Sequence, residues 1–181
     1  MIITPQQLKT ISPHTPDNRI DTFIHHLNVY MPEYGIDTVN EAASFLAQVL
    51  HESGGLKWLR EIWGPTAAQS KYEGRADLGN VVHGDGKKFM GRGLIQLTGR
   101  ANYTKMSKDM FGDNRLLEMP DLLSTAECAV KSACIYWQWR KMDLIDDDLD
   151  IRAETKKTNG GYNGLTQRQQ YFDKAIAVLS S

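Results

Sequence analysis

The chain has 181 residues, 41% of them hydrophobic and 24% charged, with a formal net charge of -1. That length suits one catalytic domain over residues 1–181 with a real core and no separate wall-binding module. The near-neutral balance argues against an electrostatic grip on nucleic acid, and no apolar run approaches the length of a membrane span.

Thr4-Pro5-Gln6-Gln7 opens the first helix with an N-cap, a proline at the first helical position and a capping-box glutamine. Thr15-Pro16 repeats the start signal, and the second helix is expected to end before Pro32. Thr38 with Glu41 forms another capping box. The helix behind it carries Val39, Ala42, Ala43, Leu46, Val49 and Leu50 at helical period, and Gly54-Gly55 stops it. Residues 54–93 lack a strong helical pattern, and only Tyr72 to Leu97 has room for short strands or a hairpin. Ser124 with Glu127 predicts a later helix start, with Leu123 and Cys128 at the hydrophobic-staple positions. Thr166 with Gln169 predicts the last one, presenting Phe172, Ala175, Ile176 and Leu179 on one face. The fold class is therefore mostly α with an irregular or β-hairpin insert. Cys128 and Cys134 point in different directions on one helix, so a disulfide between them is excluded and both read as small buried hydrophobes.

The chemistry concentrates around the insert. Glu52 falls beside Val49 and Phe45 at the edge of the apolar stripe, where partial desolvation favours the protonated carboxyl and suits a general acid. It also stands at a helix C-terminus, where the dipole disfavours a carboxylate, so its placement wants a reason. Glu61 follows nine positions later in a loop with Trp58, Trp63 and Tyr72. Flat rings suit sugars, and a loop carboxylate near solvent suits the base that activates water. Glu73 is a further carboxylate that chemistry alone leaves open. Gly91-Arg92-Gly93 lets backbone approach a ligand closely. Gln96 and Thr98 share a face if that stretch is extended. Each feature singly has a plain alternative: a surface glutamate, buried tryptophans, a turn with a half-buried strand.

Other motifs fail. His51-Glu52 begins a zinc-protease signature, but Gly55 stands where the second histidine is required. Gln96 occupies the third glycine position of a dinucleotide fingerprint. The acidic run Asp146-Asp147-Asp148 with Asp150 lacks the glycine and final glutamate of a calcium loop. No metal or other cofactor is expected.

In order along the chain, Phe45 to Gly55, Glu61-Ile62-Trp63-Gly64-Pro65-Thr66, Gly91 to Thr98, Asn102-Tyr103 and Asn159 to Gly164 resemble glycoside hydrolase family 19, the chitinases and their lysozyme-like relatives among phage endolysins. The stretch Glu61 to Gln69 is more similar to the endolysin branch. The resemblance implies a two-lobed, lysozyme-like helical fold with a central cleft. It implies Glu52 as general acid, Glu61 as general base and Thr98 as the hydroxyl that holds the attacking water. Gln96, Asn102, Tyr103, Trp63, Asn159 and Arg168 match substrate-binding positions, Arg168 also serving the charge network around the acid. Asn163 stands where chitinases often carry a glutamate, so that network is rebuilt here or absent. The reaction implied is inverting, with carboxyl groups roughly 6.5–9.5 Å apart.

The function expected is hydrolysis of β-1,4 bonds in peptidoglycan glycan strands by a monomeric phage or prophage endolysin. It would bind no nucleic acid and insert stably in no membrane. Without a signal peptide it would accumulate in the host cytoplasm and reach the wall through a lesion made by a separate protein. Chitinase, lytic transglycosylase and non-catalytic saccharide binding are the alternatives.

Overall fold

The computed structural model describes residues 2–140 and 151–180, which leaves the acidic run at 146–150 outside the described residues. The helices are α1 (Pro5–Ile11), α2 (Asp17–Glu33), α3 (Val39–Glu52), α4 (Ala67–Ser70), α5 (Asp85–Lys88), α6 (Arg100–Phe111), α7 (Arg115–Glu118), α8 (Ala126–Trp139), α9 (Ile151–Asn159) and α10 (Leu165–Leu179). Short 3-10 turns at Ala76–Leu78 and Pro120–Ser124 complete the set.

Helix α3 is the axis of the molecule. Every residue from Ala42 to Leu50 is buried, the signature of a helix covered on all sides. Its start is fixed by Thr38, whose side chain accepts from the Glu41 N–H while the Glu41 carboxylate accepts from the Thr38 N–H. Phe45, Leu46 and Leu50 are at most 1% exposed, and burial of each contributes about 1.5–3 kcal/mol. Around α3 a large apolar cluster gathers side chains from α1, α2, α8, α9 and α10, and α10 runs along it.

A second, smaller cluster joins Phe89, Leu97, Tyr103, Met106, Met110, Leu116, Leu123 and Ile135. Helix α8 serves both, sending Val130, Ala133 and Trp137 into the first and Ile135 into the second. The segment 91–98 straddles them too: Leu94 is buried in the first, Leu97 in the second, and Ile95 packs against both.

The α1 and α3 starts follow the expected caps; three other termini differ. Helix α2 continues through Pro32 to Glu33, because a proline in the last turn forfeits a single ladder bond and keeps a helical φ. The cap of α8 is Thr125, whose hydroxyl accepts from the Cys128 N–H, while Ser124 Oγ donates to the Leu59 carbonyl. The helix thus starts one residue later than expected, and Leu123 enters the second cluster, against which Cys128 also packs. Helix α10 starts after Gly164 in the left-handed region, with no side-chain cap, and Gln169 donates to Asp173 instead of reaching back to Thr166. The insert takes the irregular of its two expected forms. Among the described residues the insert holds only isolated antiparallel bridges, Arg60 to Arg92 and Arg92 to Leu97, with the short helices α4 and α5 between. Both cysteines are free.

Candidate active site

Glu52 is the last residue of α3, and Gly54 and Gly55 turn the chain away at φ 59° and 73°. Neither glycine tolerates a side chain: a Cβ at Gly54 would stand 2.9 Å from the Trp58 ring, and one at Gly55 2.8 Å from Thr15 Oγ1. The Glu52 side chain is 23% exposed and one oxygen accepts from Arg168 Nη2 at 2.5 Å. The same guanidinium donates from Nη1 to Gln48 Oε1 at 2.5 Å and from Nε to the Asn163 carbonyl at 3.3 Å. Gln48 lies one turn before Glu52 on the same face of α3. A single buried cation thus braces two stacked side chains and ties the helix to the 160–164 turn.

This is the charge network expected around Glu52, and the cation offsets the unfavourable end of the helix dipole there. Arg168 is 1% exposed, so it is no substrate contact; it positions Glu52. The network expected to be rebuilt or absent at Asn163 is rebuilt, with a backbone carbonyl from Asn163 and a side-chain amide from Gln48. His51 closes this side. Its Nδ1 stands 2.6 Å from Gln167 Oε1, and burial, with Arg168 nearby, pushes its pKa down.

Glu61 is held differently. Its backbone N–H donates to the Gly91 carbonyl, and its Oε2 accepts from the Gly91 N–H at 3.0 Å. Oε1 accepts from Gln69 Nε2 at 3.0 Å and from the Tyr72 hydroxyl at 3.4 Å. Burial and the Glu61 charge together push the Tyr72 phenol up, which keeps it a donor. Gln69 is 4% exposed, and its Oε1 also accepts from the Gly64 and Thr66 N–H groups. Thr66 caps α4 in a reciprocal box with Gln69, so the helix start fixes the amide that grips Glu61. Gln48 and Gln69 are the site residues that sequence reasoning missed. The Thr66-x-x-Gln69 capping pattern was the available signal for one; none pointed to the other. Glu73 belongs elsewhere: it accepts from the Gly84 and Gly86 N–H groups, and those bonds hold its pKa below the usual carboxylate range.

Gly91 earns its place by closeness, since a Cβ there would stand 2.9 Å from Gln96 Oε1 and 3.4 Å from Glu61 Oε2. Gln96 takes a left-handed φ of 54° and donates to the Gly93 carbonyl, so the stretch is a turn and the shared face of an extended strand does not exist. Thr98 Oγ1 donates to the Gln96 carbonyl at 2.9 Å, and Asn102 Nδ2 donates to the Thr98 carbonyl at 2.7 Å. A relay of short bonds therefore joins Gln96, Thr98 and Asn102 beside Glu61. Trp63 is half-buried with its ring 6.2 Å from that of Tyr72. Asn159 is exposed at the end of α9, and no hydrogen bond ties it to either carboxylate among the described residues. Tyr103 is a second correction to the substrate-binding set. It is fully buried in the smaller cluster, donating to the Met90 carbonyl and accepting from Arg92. Its ring supports the 90–92 segment and does not meet solvent.

The family model for glycoside hydrolase family 19, chitinase class I, matches residues 34–144. The chain belongs to this family. A Haemophilus influenzae protein described as a glycosyl hydrolase family 19 domain-containing protein is 28% identical over all of this chain and 98% of its own length. The Arabidopsis thaliana endochitinase CHI is 33% identical over 66% of this chain and 42% of its own. Chitinase C from Streptomyces griseus superposes with a TM-score of 0.73 at 22% identity, over 99% of this chain and 93% of that one. A bacterial family 19 chitinase gives 0.69 at 24%. At such identities the superpositions establish the fold, and the family model establishes that this is a glycosidase. Among the described residues of this family 19 glycosidase no group of three His, Cys, Asp or Glu side chains is arranged to hold a metal.

Proposed function

We propose that this glycosidase hydrolyses β-1,4 bonds of peptidoglycan strands by inversion, with Glu52 as general acid and Glu61 as general base. The carrying observation is the contrast between the two carboxyl environments. Glu52 must finish the bond-breaking step as a carboxylate, and the buried Arg168 guanidinium stands ready to stabilise that charge. Glu61 must finish it protonated, and its partners are neutral donors (Gly91 N–H, Gln69 and Tyr72), so taking a proton breaks no ion pair. Water oxygen bonds to the anomeric carbon as the bond to the leaving sugar oxygen breaks; Glu61 takes the water proton and Glu52 supplies one to the leaving oxygen. Thr98 has its hydroxyl hydrogen committed to the Gln96 carbonyl, which leaves its oxygen lone pairs to orient the water. Gln96, Asn102, Trp63 and Asn159 contact the sugars.

The peptidoglycan reading draws on the similarity of the stretch Glu61 to Gln69 to the endolysin branch, and the chain spans under half of the plant endochitinase it matches. The chitin reading is favoured by the plant endochitinases among its relatives. In the first reading the protein serves as a monomeric endolysin that accumulates in the host cytoplasm and crosses through a separate protein's lesion; no described helix is long and apolar enough to span a membrane. Parallel digestion of purified peptidoglycan and chitin oligomers, with reducing-end and mass analysis, tests the proposal. New hydrolytic reducing ends from peptidoglycan are expected, with Glu52→Gln lowering the rate at least about 100-fold while unfolding cooperatively. Release from chitin alone, anhydro products, or a fully active Glu52→Gln would refute it.

A further inference from the structure

Beside Arg60, the residue before Glu61, lies an open surface depression of about 340 Å³ that the hydrolytic reading does not use. Arg60, Lys87, Lys88, Met90, Arg92 and Pro120 line it, and its volume is within the range of small-ligand sites. Its position is fixed by the same backbone that carries the base. Arg60 bridges Arg92 while the Glu61 N–H donates to the Gly91 carbonyl. Arg92 is the strut: 3% exposed, it donates from Nη1 to the Lys88 carbonyl and the Tyr103 hydroxyl and from Nε to Asp121.

The charge in this depression is unbalanced. Asp121 pairs with Arg92 at 2.8 Å and lies 3.6 Å from Arg60, so one carboxylate faces two guanidiniums. Asp85, the nearest acid on α5, is occupied by Arg100 through two bonds, and Glu73 by the Gly84 and Gly86 N–H groups. Lys87 and Lys88 are exposed; the Lys88 ammonium lies over the Phe89 ring, and neither ammonium forms an ion pair with a carboxylate among the described residues. A concave site with surplus cations and an apolar floor at Met90 and Pro120 calls for an anionic group on a partly apolar stem.

The geometry points to this depression as a subsite for the carboxylates of the stem peptide that branches from the glycan strand, one residue away from the catalytic base. This inference rests on the peptidoglycan reading, since chitin carries no acidic branch. Lys87 and Lys88 attract the carboxylates, and Arg60 offers a fork for bidentate pairing.

The test compares wild type with the Lys87→Gln/Lys88→Gln double variant on intact peptidoglycan and on strands stripped of stem peptides by an amidase. A parallel arm measures calorimetric binding of a muramyl-peptide saccharide and of its carboxyl-amidated form to Glu52→Gln, with and without the lysine changes. On intact peptidoglycan the double variant is expected to raise KM about fivefold to tenfold at low salt with kcat unchanged. The difference shrinks at high salt, and stripped strands show none. The free-carboxylate ligand binds more tightly than the amidated one only when both lysines are present. Equal effects on intact and stripped strands, or equal binding of both ligands, would overturn the subsite. Failure to hydrolyse either substrate alongside preserved carboxylate-dependent binding would overturn the peptidoglycan function and leave the subsite standing. A phosphate-bearing wall polymer that displaces the peptide ligand at equal concentration would reassign the pocket to phosphate and refute the stem-peptide assignment.

Discussion

Arg168→Gln is the most informative single change. The guanidinium makes a charge-assisted bond to Glu52, a second to Gln48 and a weaker one to the Asn163 carbonyl. Loss of the Glu52 bond costs about 1.5 kcal/mol, the low end for charged partners, because a carboxylate that is 23% exposed rehydrates. Gln48 is 2% exposed and its Nε2 has no partner among the described residues, so removing its Oε1 partner orphans the amide at a further cost of about 1–3 kcal/mol. The total is about 2.5–4.5 kcal/mol, or roughly 5–18 °C in Tm for a chain of this size. Arg168 touches no solvent, so KM should hold within about twofold while kcat falls at least about tenfold. Arg168→Lys keeps the charge but has no planar fork to reach both partners, and should fall between. Thermal unfolding by circular dichroism with initial rates from reducing ends makes the measurement. A wild-type Tm together with a raised KM would show that the residue meets sugar and that the bracing argument is wrong.

Gln69→Ala removes a donor to Glu61 and the acceptor for two backbone N–H groups; a kcat loss of about tenfold and a destabilisation of about 1–2 kcal/mol are expected from steady-state rates and urea melts. Asp85→Asn breaks a 2%-exposed partner of Arg100 and should cost about 2–3 kcal/mol at pH 7, below the full value for a buried pair because Arg100 can rehydrate. Arg100 holds the Asp85 carboxyl below its ordinary value, so the stabilisation is full above about pH 4 and disappears as pH falls through the folded value. The gap between wild type and variant in denaturant titrations should therefore stay constant from neutral pH to about pH 5 and close below about pH 4. Gly164→Ala forces φ 72° on a residue with a side chain and places Cβ 2.0 Å from the His51 ring; a loss of at least about 2 kcal/mol with displaced His51 ring resonances in NMR is expected.

Much of the helical frame can be read from the chain because its signals are local. The Thr4 and Thr38 capping boxes and the stripe of α3 depend on residues within a few positions of each other. Ser124 and Thr166 mislead for the same reason: two adjacent hydroxyl residues compete at 124–125, and the choice between them rests on Leu59, a residue 65 positions away. The site divides similarly. Glu61, Gly91, Gln96 and Thr98 are brought together, as their motifs suggest. The Arg168–Gln48 brace joins residues 120 positions apart, which no period or spacing reveals. Tyr103 misleads because a motif match fixes a position in the chain and says nothing of which way the ring faces. Of the two forms open to the insert the irregular one is realised, because glycines at positive φ and a left-handed Gln96 turn the backbone before a ladder can extend.

Leu94 and Leu97 give the loop between them a root in each of the two apolar clusters. Parting the halves of the molecule would require extracting one leucine from its socket, at about 1.5–3 kcal/mol. Gln96 and Thr98 ride on that doubly rooted loop, so the surface they present is pinned from both sides and resists breathing.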